Sequence, residues 1–448
     1  MPGMRVPRYK VVLDRLAHEI RSGQSPPGTR LPTHRKLAAQ EGIALVTASR
    51  VYAELEAMGL VNGEPGRGTF VRDTPLLPGQ GIEREALGDD VADLNFNYPS
   101  VPGQADLLRR ALRELSTSGD IEALLRYQPH RGRAQDRASV ARHLGRRGLE
   151  VDGERVMLVN GAQHGLAVTA MAALKAGDVV AVDALTYPGF KILALSLGLE
   201  SAPIPRSGDG PDRDYFEWLC ATRRVRATYV MPTLHNPLGW IMDAPSRIRL
   251  VEIARRHRIL IIEDASYAFL AEDPPPPIAA LAPDVTAYVS GLSKSTATGL
   301  RFGFVAPPPE LSHPIERAIR ATVWNTPAVI TAIACRWLDD GTVDRLEDEK
   351  RQDARARQLI AREVLADCGY SGHPSSYFGW LRLDEDARAD RLAASLARNR
   401  ISVTTAEHFA TTAHVPQALR LALGSLDIAE LGTVLRRVRE AAIDDART

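Results

Sequence analysis

Between residues 156 and 305 the chain repeats one unit: a short apolar run that stops at a cluster of small or polar residues. Val156–Asn160 stops at Gly161-Ala162-Gln163-His164-Gly165, and Val179–Val182 leads to Thr186-Tyr187-Pro188-Gly189. Ala227–Met231 leads to His235-Asn236-Pro237-Leu238-Gly239, and Ile259–Ile262 to Glu263-Asp264-Ala265-Ser266-Tyr267. Val285–Val289 leads to Ser290-Gly291-Leu292-Ser293-Lys294, with Phe304-Val305 beyond. Runs this short and apolar read as buried strands, and helical spacing fills the gaps between them. Strands joined through helices pair in parallel, and open parallel sheets bind ligands at the carboxyl ends of their strands. The pattern predicts an α/β body with every polar cluster along one edge of its sheet.

The chemistry of those clusters converges. Lys294 lies among Ser, Thr and Gly, and a lysine forms a Schiff base readily once burial or a second cation lowers its pKa. Arg301, seven positions on, is permanently charged and suits a fixed dianion. Gly161-Ala162-Gln163 opens an Ala/Leu-rich helix, whose free N–H groups and macrodipole suit a phosphate. Tyr187 can stack on a flat, electron-poor ring. Asp264, at a strand's end, suits a pyridine nitrogen that it keeps protonated.

In this order the clusters resemble the cofactor site of the fold type I pyridoxal-phosphate enzymes, the aspartate aminotransferase superfamily. The family pattern Ser-Lys followed by Gly-x-Arg-x-Gly stands here as Ser293-Lys294 and Gly299-Leu300-Arg301-Phe302-Gly303. The resemblance, over about residues 93–440, implies that Lys294 carries pyridoxal 5'-phosphate and is the catalytic residue. It implies that Gly161, Ala162, Gln163, Ser293 and Arg301 hold the phosphate, that Tyr187 stacks on the ring, and that Asn236 and Tyr267 share the phenolic oxygen opposite Asp264. Tyr127, in Tyr127-Gln128-Pro129-His130-Arg131-Gly132, would reach a neighbouring subunit's phosphate, so a homodimer is implied. Arg420, in Ala418–Gly424, would bind a substrate or effector carboxylate in a bidentate fork. One departure is visible: the third residue before the lysine, often Ser or Thr in the family, is Gly291, which leaves Ser290 as a candidate replacement.

The first 72 residues are different. They hold eleven Lys/Arg against six Asp/Glu, a surplus of +5 in a chain whose net charge is +1, which leaves −4 for the remainder. A basic piece on a mildly acidic body points to a nucleic-acid module. Tyr9, Val12, Leu13, Leu16 and Ile20 form one helical stripe, and Ser25-Pro26-Pro27-Gly28 ends it. Thr33 caps a helix to about Gln40, a third helix runs from about Val46 to Met58, and Leu60-Val61 and Thr69-Phe70-Val71 flank a hairpin tip. That is a winged helix-turn-helix.

Its pieces Leu31-Pro32, Arg35-Lys36-Leu37-Ala38, Met58-Gly59-Leu60-Val61 and Gly66-Arg67-Gly68-Thr69-Phe70-Val71 resemble the GntR family of bacterial regulators. The third helix would enter the major groove of operator DNA with Thr47, Ser49 and Arg50. Arg35, Lys36 and the wing's Arg67 would contact phosphate. Ala44-Leu45-Val46 stands where the family usually has polar residues, which leaves either a thinner direct base readout or one that leans on thymine methyl contacts.

The expected layout is therefore multidomain: a mostly α winged head at 1–72, a Pro/Gly-containing linker at 73–92, and an aminotransferase-like body at 93–448 that ends in a smaller C-terminal α/β part from Tyr377 onward. Cys220, Cys335 and Cys368 are too few and too scattered for a disulfide framework or a Cys-based metal site. No apolar run is long enough to span a bilayer, and the cytoplasm is the expected compartment. A GntR head on an aminotransferase-like body resembles the MocR subgroup of transcription regulators, which implies regulation by a small amine, an amino acid or the cofactor itself. The sequence leaves open a working aminotransferase with an accessory head.

Overall fold

The structure is a computed structural model that describes residues 8–21, 24–26, 28–58, 60–64, 68–71, 91–118, 121–208, 210–384 and 387–447. The head packs the helices Arg8–Arg21, His34–Glu41 and Leu45–Ala57 around Leu13, Leu37, Val51 and Leu55, which are almost wholly buried. Thr33 Oγ1 accepts from Lys36 N–H as the N-cap, and Gly42 ends that helix in the left-handed region at φ 61°. The wing strands Val61–Glu64 and Gly68–Val71 pair antiparallel, with Val61 opposite Val71. The first strand therefore runs through Asn62 and Gly63, which the sequence pattern assigned to the hairpin tip. The wing's Arg67 and nearly all of the 73–92 linker lie outside the described residues.

The body is built on a seven-stranded sheet. Its order is Met157–Val159, Gly303–Ala306, Thr286–Gly291, Leu260–Asp264, Val225–Val230, Val179–Asp183, Glu200–Ile204. Six of these strands run in one direction, whereas Gly303–Ala306 is antiparallel to both its neighbours. That reversal matters for the site. The strand Thr286–Gly291 ends at the same sheet edge where Gly303–Ala306 begins, so the loop between them delivers both Lys294 and Arg301 to that edge. The central strands are buried along nearly their whole length, as a sheet covered by helices on both faces requires.

A 23-residue helix, Thr342–Val364, leads to the second body sheet. Its five strands are ordered Tyr370–Ser371, Phe378–Arg382, Ala418–Ala422, Ile401–Thr405, Ala92–Leu94. The last member corrects the sequence reading of a purely C-terminal small part. Ala92–Leu94 pairs in parallel with Ile401–Thr405, so the segment entering the body completes the sheet that closes it.

Candidate cofactor site and nucleic-acid interface

A cavity of about 360 Å³ opens at the carboxyl edge of the large sheet, where the small sheet leans over it. Its anion end is made by close backbone approach. Gly161 has φ 80° and precedes the helix Ala162–Ala173, whose first residues, Ala162 and Gln163, line the cavity. A Cβ on Gly303 would stand 2.6 Å from the Gly161 carbonyl carbon, and one on Gly161 would stand 2.8 Å from Arg301 Nη2. The two glycines thus let the turn lie against the loop and bring the Arg301 guanidinium over it. Arg301 Nη1 donates to Ser293 Oγ at 3.3 Å. Gly291 is explained in the same way: a Cβ there would stand 2.8 Å from the Phe302 carbonyl oxygen. Ser290 does not supply the missing hydroxyl, since its Oγ donates to the Ala265 carbonyl at 3.2 Å instead.

The flat middle of the cavity is shaped around Asp264. Asp264 Oδ1 accepts from Ser266 N–H at 3.0 Å and from Ser266 Oγ at 2.6 Å, and Oδ2 accepts from Tyr229 Oη at 2.9 Å. Burial raises the Asp264 carboxyl pKa, and the hydrogen bonds from Ser266 and Tyr229 oppose that rise. Burial also pushes the Tyr187 phenol up, and the Asp264 charge adds to it. Tyr187 is the N-cap residue of the helix Pro188–Ser196. A Cβ on Gly189 would collide with the Tyr187 ring, so this position admits the ring only as glycine. Gln163 Nε2 donates to the Gly189 carbonyl at 2.9 Å, which joins the turn after Gly161 to the start of the helix that follows Tyr187.

Lys294 Nζ donates to the Asn97 carbonyl at 2.8 Å and sits 5.8 Å from the centre of the Tyr267 ring. Behind it, Lys350 Nζ donates to the carbonyls of Lys294 and Thr296 at 3.1 and 2.6 Å. Desolvation, with the Lys294 charge second, lowers the Lys350 pKa to about 7.

The small sheet supplies Arg420. Its Nη2 donates to the Asn95 carbonyl and to Thr404 Oγ1, and its guanidinium carbon lies 5.3 Å from the Phe409 ring centre. Burial lowers its pKa. Arg420 Nε, Asn236 Oδ1 and Gln163 Oε1 are buried and find no hydrogen-bond partner among the described residues. Buried polar atoms normally are paired. An unpaired set around a cavity with an anion cradle at one end and a buried carboxylate in the middle fits a flat, phosphorylated heteroaromatic group.

Asn236, Tyr267, Ser293, Lys294 and Arg301 all line this cavity with Ala162, Gln163, Tyr187, Asp264 and Arg420. Tyr127 does not. It is 83% exposed on the outside of the body, with its ring 5.5 Å from that of Trp324. The structure also brings in residues that the sequence reading passed over. Asn95 to Tyr98 line the cavity. Tyr229, held flat against Phe190 at 4.0 Å between ring centres, anchors Asp264. The 95–98 stretch, Asn-Phe-Asn-Tyr, does carry a signal in its alternating amides and aromatics ahead of a proline. Tyr229 carries none, because a tyrosine inside a buried strand reads as core.

On the head, Arg35 and Lys36 are exposed at the start of the second helix. Thr47 is half-buried, and Ser49 Oγ is 3.1 Å from His34 Nδ1. Arg50 lies with its guanidinium carbon 4.3 Å from the Tyr9 ring centre, held by a cation–π contact. Leu45 and Val46 are exposed at the N-terminal end of the third helix, and Val46 keeps 81% of its surface. Bare aliphatics there suit thymine methyl groups. Arg30, not singled out from the sequence, lines the groove between this helix and the wing together with Arg35 and Ser49.

The family described as "Aminotransferase class I and II" matches residues 89–438, and "Bacterial regulatory proteins, gntR family" matches residues 8–71. The chain is 28% identical to the HTH-type transcriptional regulator YdeF of Bacillus subtilis (strain 168), over 92% of this chain and 88% of that protein. It is 26% identical to the probable rhizopine catabolism regulatory protein MocR of Rhizobium meliloti, over 88% and 82% respectively. Among solved structures it matches LysN, an alpha-aminoadipate aminotransferase from Thermus thermophilus, with TM-score 0.74 at 23% identity, covering 81% of this chain and 94% of that one. That likeness concerns the body's fold.

Proposed function

Since the chain belongs to the aminotransferase class I and II family and carries a gntR-type head in the layout of MocR-type regulators, it is a DNA-binding transcription regulator whose body takes pyridoxal 5'-phosphate, and we propose that the body senses a carboxylate-bearing amine. The observation that carries the proposal is Arg420. Its Nε is buried and unpaired beside a complete cofactor cavity, on a chain that also holds a DNA reader. Bound there, the cofactor supplies an aldehyde able to condense with amines. Lys294 is the amine that would hold it. Gly161, Ala162, Gln163, Ser293 and Arg301 would cradle its phosphate, Tyr187 would cover its ring, and Asn236, Tyr267 and Asp264 would fix the ring's polar edge. Arg420 would then orient an incoming amino acid by its carboxylate.

In this reading the unit is a homodimer. Tyr127, exposed on its own chain, would reach the neighbouring copy's phosphate. The head at 1–72 would read operator DNA through Arg35, Lys36, Thr47, Ser49, Arg50 and Arg67, joined by the 73–92 linker to the body at 93–448, in the cytoplasm. Among the described residues no helix is long and apolar enough to cross a membrane. The test is operator binding by apo protein, by cofactor-loaded protein, and by loaded protein with a panel of amino acids. A ligand shifts DNA binding only through unequal affinity for the two states of the head. Coupling of about 1–3 kcal/mol is expected, and it should vanish in Arg420→Ala for amino-acid effectors. Identical affinity across all arms would refute it. A working aminotransferase is favoured by one observation, the joint presence of Lys294, Asp264 and Arg420 around one cavity. Multiple turnover with an amino acid and an oxo-acid would establish that activity.

A further inference from the structure

Among the described residues, the charged side chains that line the cavity at the large sheet's carboxyl edge are Asp264, Lys294, Arg301 and Arg420. In the proposed arrangement three of them are engaged by the cofactor: Lys294 by the aldehyde, Arg301 by the phosphate and Asp264 by the ring. Arg420 alone is left for what enters beside it, and one guanidinium fork matches one carboxylate. Asp93, the acidic residue that leads into this corner, does not line the cavity. Its Oδ1 accepts from the N–H groups of Asn95 and Phe96 at 2.7 and 3.1 Å.

The neutral polar groups near Arg420 are largely committed as well. Thr404 Oγ1 accepts from Arg420 Nη2 at 3.2 Å and donates to Asn95 Oδ1. Asn97 Oδ1 accepts from Gly424 N–H at 3.1 Å, and the Asn97 carbonyl accepts from Lys294 Nζ. The rest of the wall is apolar. Leu166, Met231 and Phe409 are almost wholly buried in it. Phe96, Tyr98 and Ile192 line the same cavity yet are only half-buried. The Phe96 and Tyr98 ring centres lie 5.9 Å apart. Such rings gain by covering an apolar group, and most of all another ring. They are also fixed relative to Arg420. The Asn95 carbonyl accepts from Arg420 Nη2, and Ser425 Oγ donates to the Phe96 carbonyl while accepting from Tyr98 N–H at 3.0 Å. One four-residue stretch therefore holds both the carboxylate anchor and the aromatic wall.

Charge decides what fits between them. A second carboxylate on the ligand would meet this wall with no cation to pair it, and a second ammonium would find no carboxylate, because Asp264 is taken by the ring. Either charge would leave water unpaired, which is costly, whereas an apolar side chain gains from the same burial. The cavity of about 360 Å³ lies near the lower end of ligand sites, which span about 300–1,000 Å³. The cofactor fills part of it, so a compact side chain fits better than a long one.

We infer that the amine oriented by Arg420 is a monocarboxylic amino acid with a compact, uncharged, apolar side chain, aromatic or branched, and that Phe96 and Tyr98 are the residues that select it. The inference deepens the proposed sensing of a carboxylate-bearing amine and rests on that reading.

The test is isothermal titration of full-length, cofactor-loaded protein with L-phenylalanine, L-leucine, L-alanine, L-glutamate and L-lysine, and with phenethylamine, which lacks the carboxylate. L-phenylalanine and L-leucine should bind at least about tenfold more tightly than L-glutamate and L-lysine, whose extra charge would be buried unpaired. L-alanine should fall between, and phenethylamine should bind at least about tenfold more weakly than L-phenylalanine for want of the charge-assisted fork. Phe96→Ala and Tyr98→Ala should each weaken L-phenylalanine about fivefold and leave L-alanine within about twofold, since only the larger side chain loses buried area. A merely structural role for these rings would weaken both amino acids alike. Retained cofactor absorbance shows that the variants keep the site. L-glutamate, L-lysine or L-alanine binding as tightly as L-phenylalanine, or variants that lower L-phenylalanine and L-alanine by the same factor, would overturn the inference. With phenethylamine still weak, those outcomes leave the carboxylate reading standing. If phenethylamine matches L-phenylalanine, or no amino acid binds, the sensing reading itself fails and the inference falls with it.

Discussion

Replacing Asp264 by Asn isolates the charge proposed to face the cofactor ring. The neighbours decide how the amide sits. Ser266 N–H and Oγ both donate to Oδ1, so the oxygen of the new amide must stay at that position. The amide nitrogen then takes the place of Oδ2 and faces Tyr229 Oη, which can turn from donor to acceptor. The local network survives, and only the negative charge is lost. A hydrogen bond to a charged group is worth about 1.5–3 kcal/mol and a neutral one about 0.5–1.5. The variant should therefore bind the cofactor about 1–2 kcal/mol more weakly, roughly five- to thirtyfold in Kd. The assay is a fluorescence titration of apo protein in a Lys294→Ala background, so that covalent capture does not mask the loss. The sign with pH follows from burial, which raises the Asp264 pKa. As pH falls through that raised pKa the parent's carboxyl takes up a proton and loses its charge, so parent and variant should converge toward acid. Equal affinities at pH 8, or a gap that widens toward acid, would refute the assignment of Asp264 to the ring.

Gly303→Ala places a Cβ 2.6 Å from the Gly161 carbonyl carbon; the phosphate turn must shift, and cofactor loading by absorbance should fall at least tenfold with the fold retained by circular dichroism. Lys350→Met removes a buried amine whose pKa is lowered to about 7. Below that value the folded state carries a penalised charge, so wild-type stability should rise with pH between about 7 and 10.4, by at most about 1.4 kcal/mol per unit. The denaturant midpoints of the Met variant should lack that rise, and parallel pH slopes would count against the buried-amine account. On the head, Arg35→Ala should weaken binding to all DNA fragments alike and reduce the salt slope by about 0.9. Arg50→Ala should alter preference between fragments, less than a free arginine would, because binding a base requires leaving the Tyr9 ring.

The elements that form the site were legible because each strand stops where its function begins. Val179–Asp183 and Leu260–Asp264 are buried runs bounded by residues that cannot continue a core. The tyrosine, aspartate and lysine of the clusters therefore announced the sheet edge at which they line one cavity. What stayed hidden was set by contacts distant in sequence. Nothing local marks Ala92–Leu94 as a strand of the small sheet, because its only strand partner among the described residues is Ile401–Thr405, at the far end of the chain. The partners of Arg420 come from Asn95 and Thr404, so its orphaned Nε could not be read from Ala418–Gly424 alone. Gly291 shows the reverse case. By family pattern it is a lost hydroxyl, whereas in space it is the position where the Phe302 carbonyl passes 2.8 Å from any Cβ. The phosphate end therefore traded a side-chain donor for backbone closeness. In the proposed arrangement its affinity for a dianion would come from the helix N-terminus, Ser293 and Arg301, which this close approach brings together.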